Sequence, residues 1–351
     1  MPTNILILAK LGAGTGNRTT AERIRQHLNN SDLCPLLCDV TQFRSPRDLS
    51  DYVIHNDVTC LIVIHAYRAG KFLNDISIPF ALVFGGTDVQ CSSWNDQENA
   101  IMADVVAKAI VLIAFSEVMK EAASVKWPSI LKEKKIFVQP QGVTIERIGP
   151  TNYSFQHLFN DNGMSDVKTK EKIFFLYVGG IRPVKDPLFL IHTFAQMHEE
   201  NDRILFVIIG PILDEEYARQ CRLTTSKLKG IYMFDQISRD KVHALIHQSV
   251  ALVNSSIEEG MAGAILESMK IETPVVVRNN RGNASIVQHQ STGLLFQHPQ
   301  NFKEQANHLL EDSTLRRNLT QNARDFIESN HNPDVERSTY HKIIKILVKP
   351  S

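Results

Sequence analysis

Five cysteines and two tryptophans are few for 351 residues. The cysteines stand at 34, 38, 60, 91 and 221, an odd number without a C-x-x-C pair. That excludes a disulfide framework and a zinc ribbon, and leaves reduced, mostly buried thiols as the plain expectation. H-E-x-x-H and D-x-D are both absent, so the commonest metal signatures are missing. Neither sign of charge dominates: Lys plus Arg and Asp plus Glu each total 38. A bulk polyelectrolyte partner such as nucleic acid is therefore not expected, although a local basic cluster fits a neutral body. No run approaches the roughly 18 apolar residues of a membrane span. The longest, Ile5–Ala9 and Ala109–Phe115, have the length of strands. The opening MPTNILILAKLGAG has no basic n-region and too short an apolar core for a signal peptide. Six Asn-x-Ser/Thr sequons occur, at Asn17, Asn29, Asn152, Asn254, Asn283 and Asn318. Glycans at Asn17, Asn254 or Asn283 would block the loops assigned below to the site, so the cytosol is the expected compartment.

What is present is a chain with 43% hydrophobic and 22% charged residues, ordinary for a globular protein and long enough for about two domains. Short apolar runs alternate with amphipathic segments, the pattern of βαβ units and parallel sheets. The first half predicts strands at Asn4–Ala9, Pro35–Val40, Cys60–His65, Phe80–Phe84, Ile110–Phe115 and Ile136–Val138, with a helix over Thr19–Asn30. Residues 144–172 are polar and irregular and read as a linker. A second series predicts strands at Ile173–Val178, Ile204–Ile209, Ile231–Phe234, Val250–Asn254, Pro274–Val277 and Gly293–Phe296. The expected fold is α/β, with two doubly wound parallel-sheet, Rossmann-like domains over 1–165 and 166–330. A last amphipathic helix follows in 331–351. Open parallel sheets bind ligands beyond the carboxyl ends of their strands, so a cleft between two such domains is the expected site.

Six strand ends carry chemistry. Leu11-Gly-Ala-Gly-Thr-Gly-Asn17 follows the first strand and enters a helix. Its glycines allow close backbone approach to a ligand, and Asp39 ends the second strand where a ribose-binding acid of an NAD site would sit. The spacing is G-x-G-x-G rather than G-x-G-x-x-G, and a tight strand-to-helix turn explains the loop as well. Gly179-Gly-Ile-Arg-Pro-Val-Lys-Asp-Pro187 places Arg182 and Lys185 before a helix, a natural clamp for a pyrophosphate, or else a solvated loop. Val253-Asn-Ser-Ser-Ile-Glu-Glu-Gly-Met-Ala-Gly-Ala-Ile-Leu-Glu267 is the most specific stretch. Glu259 lies in a loop, the small residues Gly260, Ala262 and Gly263 leave helix-start amides open, and Glu267 falls among the apolar Ile265, Leu266 and Met269. An unpartnered carboxylate there is costly, so ligand hydroxyls are an expected partner. In the first half, His65 and Asp88 also follow apolar strands and suit acid–base or hydrogen-bonding roles, or a satisfied interior.

In this order the pieces resemble the retaining family-4 glycosyltransferases, the group 1 class with the GT-B fold. GGIRPVKDP resembles that family's phosphate loop, Glu259 and Glu267 its E-x7-E pair, SSIEEG its P-S-x-x-E-G, STGLLF its x-T-G-L-L-F/V strand, and Pro140-Gln-Gly-Val143 the turn ending its N-terminal domain. The resemblance implies a nucleotide-diphosphate sugar as donor, a UDP sugar by default, no required metal or cofactor, and an acceptor it does not identify. It assigns Arg182 and Lys185 to the diphosphate, Glu267 to the ribose and Glu259 to the donor sugar. Gly180 belongs to the phosphate loop, the amides of Met261, Ala262 and Gly263 to the sugar hydroxyls, Ile237 to the base, and Gly14 to the diphosphate or acceptor. His65 and Asp88 stand where an acid–base pair is sought, and the helix of 331–351 is expected to cross back and pack on the first domain. The chain departs from the family where Met-Ala-Gly-Ala follows Gly260 and where Arg281-Gly-Asn-Ala-Ser285 lacks a glutamate. A sugar-nucleotide-binding scaffold without turnover and an NAD-dependent oxidoreductase are the alternatives.

Overall fold

The computed structural model describes residues 2–12, 15–90, 94–145 and 152–348. The chain divides into two compact units, one made of 1–142 with 331–351 and the other of 143–330. The first holds β1 (Thr3–Ala9), β2 (Leu33–Asp39), β3 (Val58–Ile64), β4 (Phe80–Val83), β5 (Val111–Ala114) and β6 (Ile136–Val138). They form one parallel sheet in the order β2-β1-β3-β4-β5-β6. Its central strands are apolar almost throughout, because helices cover both faces: every residue of Ile5–Ala9 and Cys60–Val63 is fully buried. The helix Gly16–Leu28 is capped by the Thr15 hydroxyl and turns Ala21, Ile24 and Leu28 inward.

The helix Pro333–Val348 also belongs to this unit. It packs on Gly16–Leu28 and against β3 and β4, and buries Tyr340, Ile343, Ile344 and Leu347.

The second unit holds β7 (Ile173–Val178), β8 (Ile204–Ile209), β9 (Ile231–Phe234), β10 (Ala251–Asn254), β11 (Val275–Arg278) and β12 (Leu294–Phe296). Their parallel order is β12-β11-β10-β7-β8-β9. Alternation along β7 feeds two cores, Phe174 and Leu176 on one face, Phe175 and Tyr177 on the other.

The unit begins at Val143, earlier than the expected boundary at 165, and the polar segment is not a bare linker. Ser154 caps a helix over Phe155–Asp161 that drives Phe155, Leu158 and Phe159 into the second core. Phe155 stacks on Phe174 with ring centroids 3.7 Å apart. Three apolar residues in seven are too few to stand out against polar flanks, which hid the helix in the sequence.

In both sheets the order in which successive strands are added changes side once, between β1 and β3 in the first unit and between β7 and β10 in the second. Such switch points open a crevice beyond the strand ends. Among the described residues no helix is long and apolar enough to cross a membrane.

Candidate functional site

In the second unit the switch point gathers most of the predicted residues. After β7 the chain makes two short 3-10 turns, Pro183–Lys185 and Pro187–Leu190, joined by Asp186 at φ 41°. An Asp tolerates this left-handed conformation better than most residues, and Pro187 disfavours the right-handed one before it. Arg278 from the end of β11 fixes the strained residue: its Nη1 reaches Asp186 Oδ2 at 3.1 Å while its guanidinium lies 3.9 Å over the Phe189 ring. Ser255 Oγ donates to the Asp186 carbonyl at 2.7 Å, and Ile257 N donates to the Val184 carbonyl at 2.9 Å. The loops after β7 and β10 are thereby one construction.

Lys185 and Glu259 meet at its centre, Nζ to Oε1 at 2.5 Å. Glu259 is 7% exposed. Its Oε1 also accepts from Ser256 Oγ at 2.8 Å and Asn254 Nδ2 at 3.2 Å. Burial pushes the carboxyl up, but Lys185, Ser256 and Asn254 outweigh it and hold it below the ordinary glutamate range. Glu259 is therefore an ionised, buried carboxylate whose three donors all fall on one oxygen.

Tyr177, buried on β7, donates its hydroxyl to the Lys185 carbonyl at 3.1 Å. Burial, and then the Glu259 charge, raises that phenol well above its usual value, so it stays a neutral donor. Arg182 is partly buried, and its Nε has no hydrogen-bond partner among the described residues. A buried guanidinium N–H without an acceptor is costly, and an anion would satisfy it. Gly180 is buried under the loop, where a Cβ would fall 2.4 Å from Leu213 Cδ1.

The helix Gly263–Lys270 starts behind Ala262, which offers no capping side chain. Met261, Ala262 and Gly263 thus lead into a helix start whose amides lack a side-chain acceptor. Glu267 is held inside the protein rather than left for a ligand alone. Arg239 Nη2 lies 2.6 Å from its Oε1 and His243 Nε2 lies 3.3 Å from its Oε2. Burial raises Glu267, and His243 and Arg239 more than reverse that. Ile237 follows β9 and packs at the edge of the core.

The first unit brings His65 and Asp88 together and engages both with backbone amides. His65 sits just past β3 at φ 81° and is 1% exposed. Its Nδ1 accepts the amides of Tyr67 and Arg68, each at 3.3 Å, so the ring proton belongs on Nε2, which bonds Thr87 Oγ1 at 2.9 Å. Asp88 Oδ2 accepts from Ala66 N at 2.7 Å and Gly85 N at 3.0 Å, and lies 3.8 Å from His65 Nδ1. With Nδ1 an acceptor, that pair is not a His–Asp hydrogen bond. Asp39 is likewise engaged: Oδ2 accepts from Leu11 N, Oδ1 from Thr41 N and Oγ1. Gly14 lies outside the described residues. Among those residues no group of three or more His, Cys, Asp or Glu is placed to hold a metal ion.

Sequence reasoning placed Asn254 and Asn283 in the site's loops without giving either a role, and missed Tyr177, Arg239, His243 and Arg278; Arg239 reaches Glu267 from 28 positions away.

Residues 163–326 match the family model described as glycosyl transferases group 1. Over 340 residues the chain is 36% identical to glycosyltransferase 1 domain-containing protein 1 of Xenopus tropicalis, covering 97% of each chain. Among solved structures, Anabaena HepE in complex with UDP-glucose superposes with a TM-score of 0.78 at 13% identity, over 97% of this chain and 99% of that one. Sucrose-phosphate synthase from Thermosynechococcus elongatus gives 0.77 at 14% identity, over 98% and 99%. The fold is thus that of the GT-B glycosyltransferases, and the family is one of transferases, not of NAD-dependent oxidoreductases. The extent and identity of the frog relative, with the family match over the second unit, make the chain a member of the group 1 glycosyltransferases.

Proposed function

We propose that the protein moves a sugar from a nucleoside-diphosphate sugar, a UDP sugar first, to an acceptor hydroxyl with retention of anomeric configuration and without a metal. The observation that carries this reading is the buried, unpartnered Arg182 Nε beside the Lys185–Glu259 pair at the β7/β10 switch point. The UDP-glucose in HepE supports the choice of donor.

In this reading Arg182 and Lys185 bind the diphosphate and stabilise the charge that grows on it as the glycosidic bond breaks. Gly180 keeps the phosphate loop close to the sheet. Glu267, oriented by Arg239 and His243, accepts from the ribose hydroxyls, and Ile237 flanks the base. Glu259 and the amides of Met261, Ala262 and Gly263 hold the sugar. The bond from the anomeric carbon to the diphosphate oxygen breaks and one to the acceptor oxygen forms on the same face. The acceptor proton passes to the departing phosphate. The internal partners of His65 and Asp88 favour a role in shaping the first unit's loops, and Gly14 remains assigned to the diphosphate or acceptor.

Titration calorimetry with UDP, GDP, ADP, UDP-glucose, UDP-GlcNAc, GDP-mannose and NAD, with and without chelator, tests the reading. UDP and one UDP sugar are expected to bind regardless of chelator. Lys185→Ala and Arg182→Ala are each expected to weaken UDP by about 10- to 100-fold, the worth of a charge-assisted hydrogen bond. Glu267→Ala should weaken UDP as well. Binding of NAD alone, or of no nucleotide, would overturn the site; a product with inverted anomeric coupling by NMR would overturn retention.

A further inference from the structure

We propose that Asn283 is a positioning residue for Glu259. It acts through Asn254, which delivers a hydrogen bond to one oxygen of the carboxylate and leaves the other for the donor sugar. The inference rests on the donor site described above.

Asn283 is fully buried and Asn254 is 6% exposed. Asn283 Nδ2 donates to the Arg278 carbonyl at 2.9 Å and to Asn254 Oδ1 at 3.1 Å. Asn254 Oδ1 also accepts from Ser256 N at 3.0 Å, and Asn254 Nδ2 donates to Glu259 Oε1 at 3.2 Å. A side-chain amide can usually be turned over without changing its shape. Here the backbone forbids it. The Arg278 carbonyl can only accept and the Ser256 amide can only donate, so both ends of the relay have a set polarity. The chain must finish in an N–H aimed at Glu259.

The brace extends to the backbone. The short helix Arg281–Ala284 lies directly on Glu259: a Cβ on Gly282 would fall 2.0 Å from the Glu259 carbonyl oxygen. Asn280 caps that helix at Asn283 N and donates its Nδ2 to the Ser256 carbonyl at 2.9 Å. This is the stretch in which the family's glutamate is absent, and the glycine and asparagines there serve the carboxylate instead.

Two observations separate this from ordinary packing. Asn283 Oδ1 is buried without a partner among the described residues, a desolvation penalty that an asparagine kept for stability alone would avoid. Lys185, Ser256 and Asn254 all bond Glu259 Oε1, while Oε2 has no partner among the described residues. A carboxylate pinned through one oxygen presents the other in a fixed direction, which a sugar hydroxyl needs and a nucleotide does not.

The test is calorimetric titration of UDP and UDP-glucose into the full chain and its Asn283→Ala and Asn283→Asp variants. UDP affinity is expected within about twofold of wild type, while UDP-glucose weakens at least about tenfold, the cost of losing one hydrogen bond to a charged group. Asn283→Asp turns an acceptor toward Asn254 Oδ1 and should do more damage than Asn283→Ala. An equal loss for both ligands, or no loss for either, would overturn the proposal. If neither Asn283 variant folds, Asn254→Ala takes their place, with the same selective loss expected and an unchanged UDP-glucose to UDP ratio overturning it. A wild-type chain that binds no UDP fails the donor site itself and the inference with it; a wild-type chain that binds both, with variants keeping the ratio, fails the inference alone.

Discussion

Asp88 shows how a polar residue at a strand end can be drawn into the backbone around it. Its position after an apolar strand was visible in the sequence, and so was His65. What could not be seen was the direction of the bonds. Nδ1 of His65 faces two amides, and Asp88 gathers the amides of Ala66 and Gly85 while its Oδ1 stays buried without a partner among the described residues. Burial raises the Asp88 carboxyl to about 6, against the pull of those amides. The folded pKa then exceeds the unfolded one, so the folded state holds its proton more tightly. Asp88's contribution is full below about pH 4 and is lost as pH rises through 6. Asp88→Asn keeps an oxygen for both amides and cannot ionise. Urea unfolding at pH 7.5 should show the variant more stable than wild type, by up to about 3 kcal/mol. The advantage should shrink toward pH 4. A variant less stable at pH 7.5 would mean that the ionised form is the one the fold uses.

At the scale of elements, periodicity made the strands readable to within a few residues, because a buried parallel strand is apolar nearly throughout. The strands Ile173–Val178 and Ile204–Ile209 stand where the pattern put them. What periodicity hides is a charge on a buried face. Glu336 in the helix Pro333–Val348 is fully buried, yet in sequence it reads as one more acidic residue near a helix start. Its Oε2 accepts from Arg23 Nε at 2.8 Å and Gly142 N at 2.9 Å, and lies 2.9 Å from His27 Nε2. One carboxylate therefore ties the last helix to the helix Gly16–Leu28 and to the residue at which the first unit's opening segment ends. Burial raises Glu336, but His27 and Arg23 overcome it and hold the carboxyl below its ordinary value. The stabilisation is present above the unfolded pKa near 4.5 and is lost as pH falls through the lower folded value. Glu336→Ala strands Arg23 in the interior and should cost about 3–5 kcal/mol in chemical denaturation at pH 7. Glu336→Gln, which keeps an acceptor, should cost less and flatten the acid limb of the stability profile. A cost under 1 kcal/mol for the alanine would show that water reaches the cluster.

For the molecule as a whole, the order of segments matters more than their content. The second unit is one continuous stretch, 143–330, and it contains Arg182, Lys185, Glu259 and Glu267. The first is discontinuous, 1–142 completed by 331–351. Length announced two domains and the family resemblance implied the return of the last helix to the first, but nothing local marks Phe155–Asp161 as part of the second core or Glu336 as part of the first. The two units should therefore behave differently when separated. A fragment of residues 143–330 carries both faces of its sheet and all of its helices, so it should unfold in one cooperative transition. On the reading of the site given above, it should also bind UDP within a few-fold of the intact chain. A fragment of 1–142 lacks the helix that covers β3 and β4 and leaves Arg23 and His27 facing no carboxylate. Buried charge without its partner and an uncovered apolar sheet both favour aggregation over folding. That fragment should be recovered in soluble, cooperatively folding form when residues 331–351 are joined ahead of residue 1 by a flexible Gly/Ser linker, because the missing helix then arrives by a different connection. Introducing Glu336→Ala into the rejoined chain should undo the recovery. Circular dichroism melts of the three chains decide the matter: a cooperative melt of 1–142 alone would show that the last helix is an ornament of the first unit, not a part of its core.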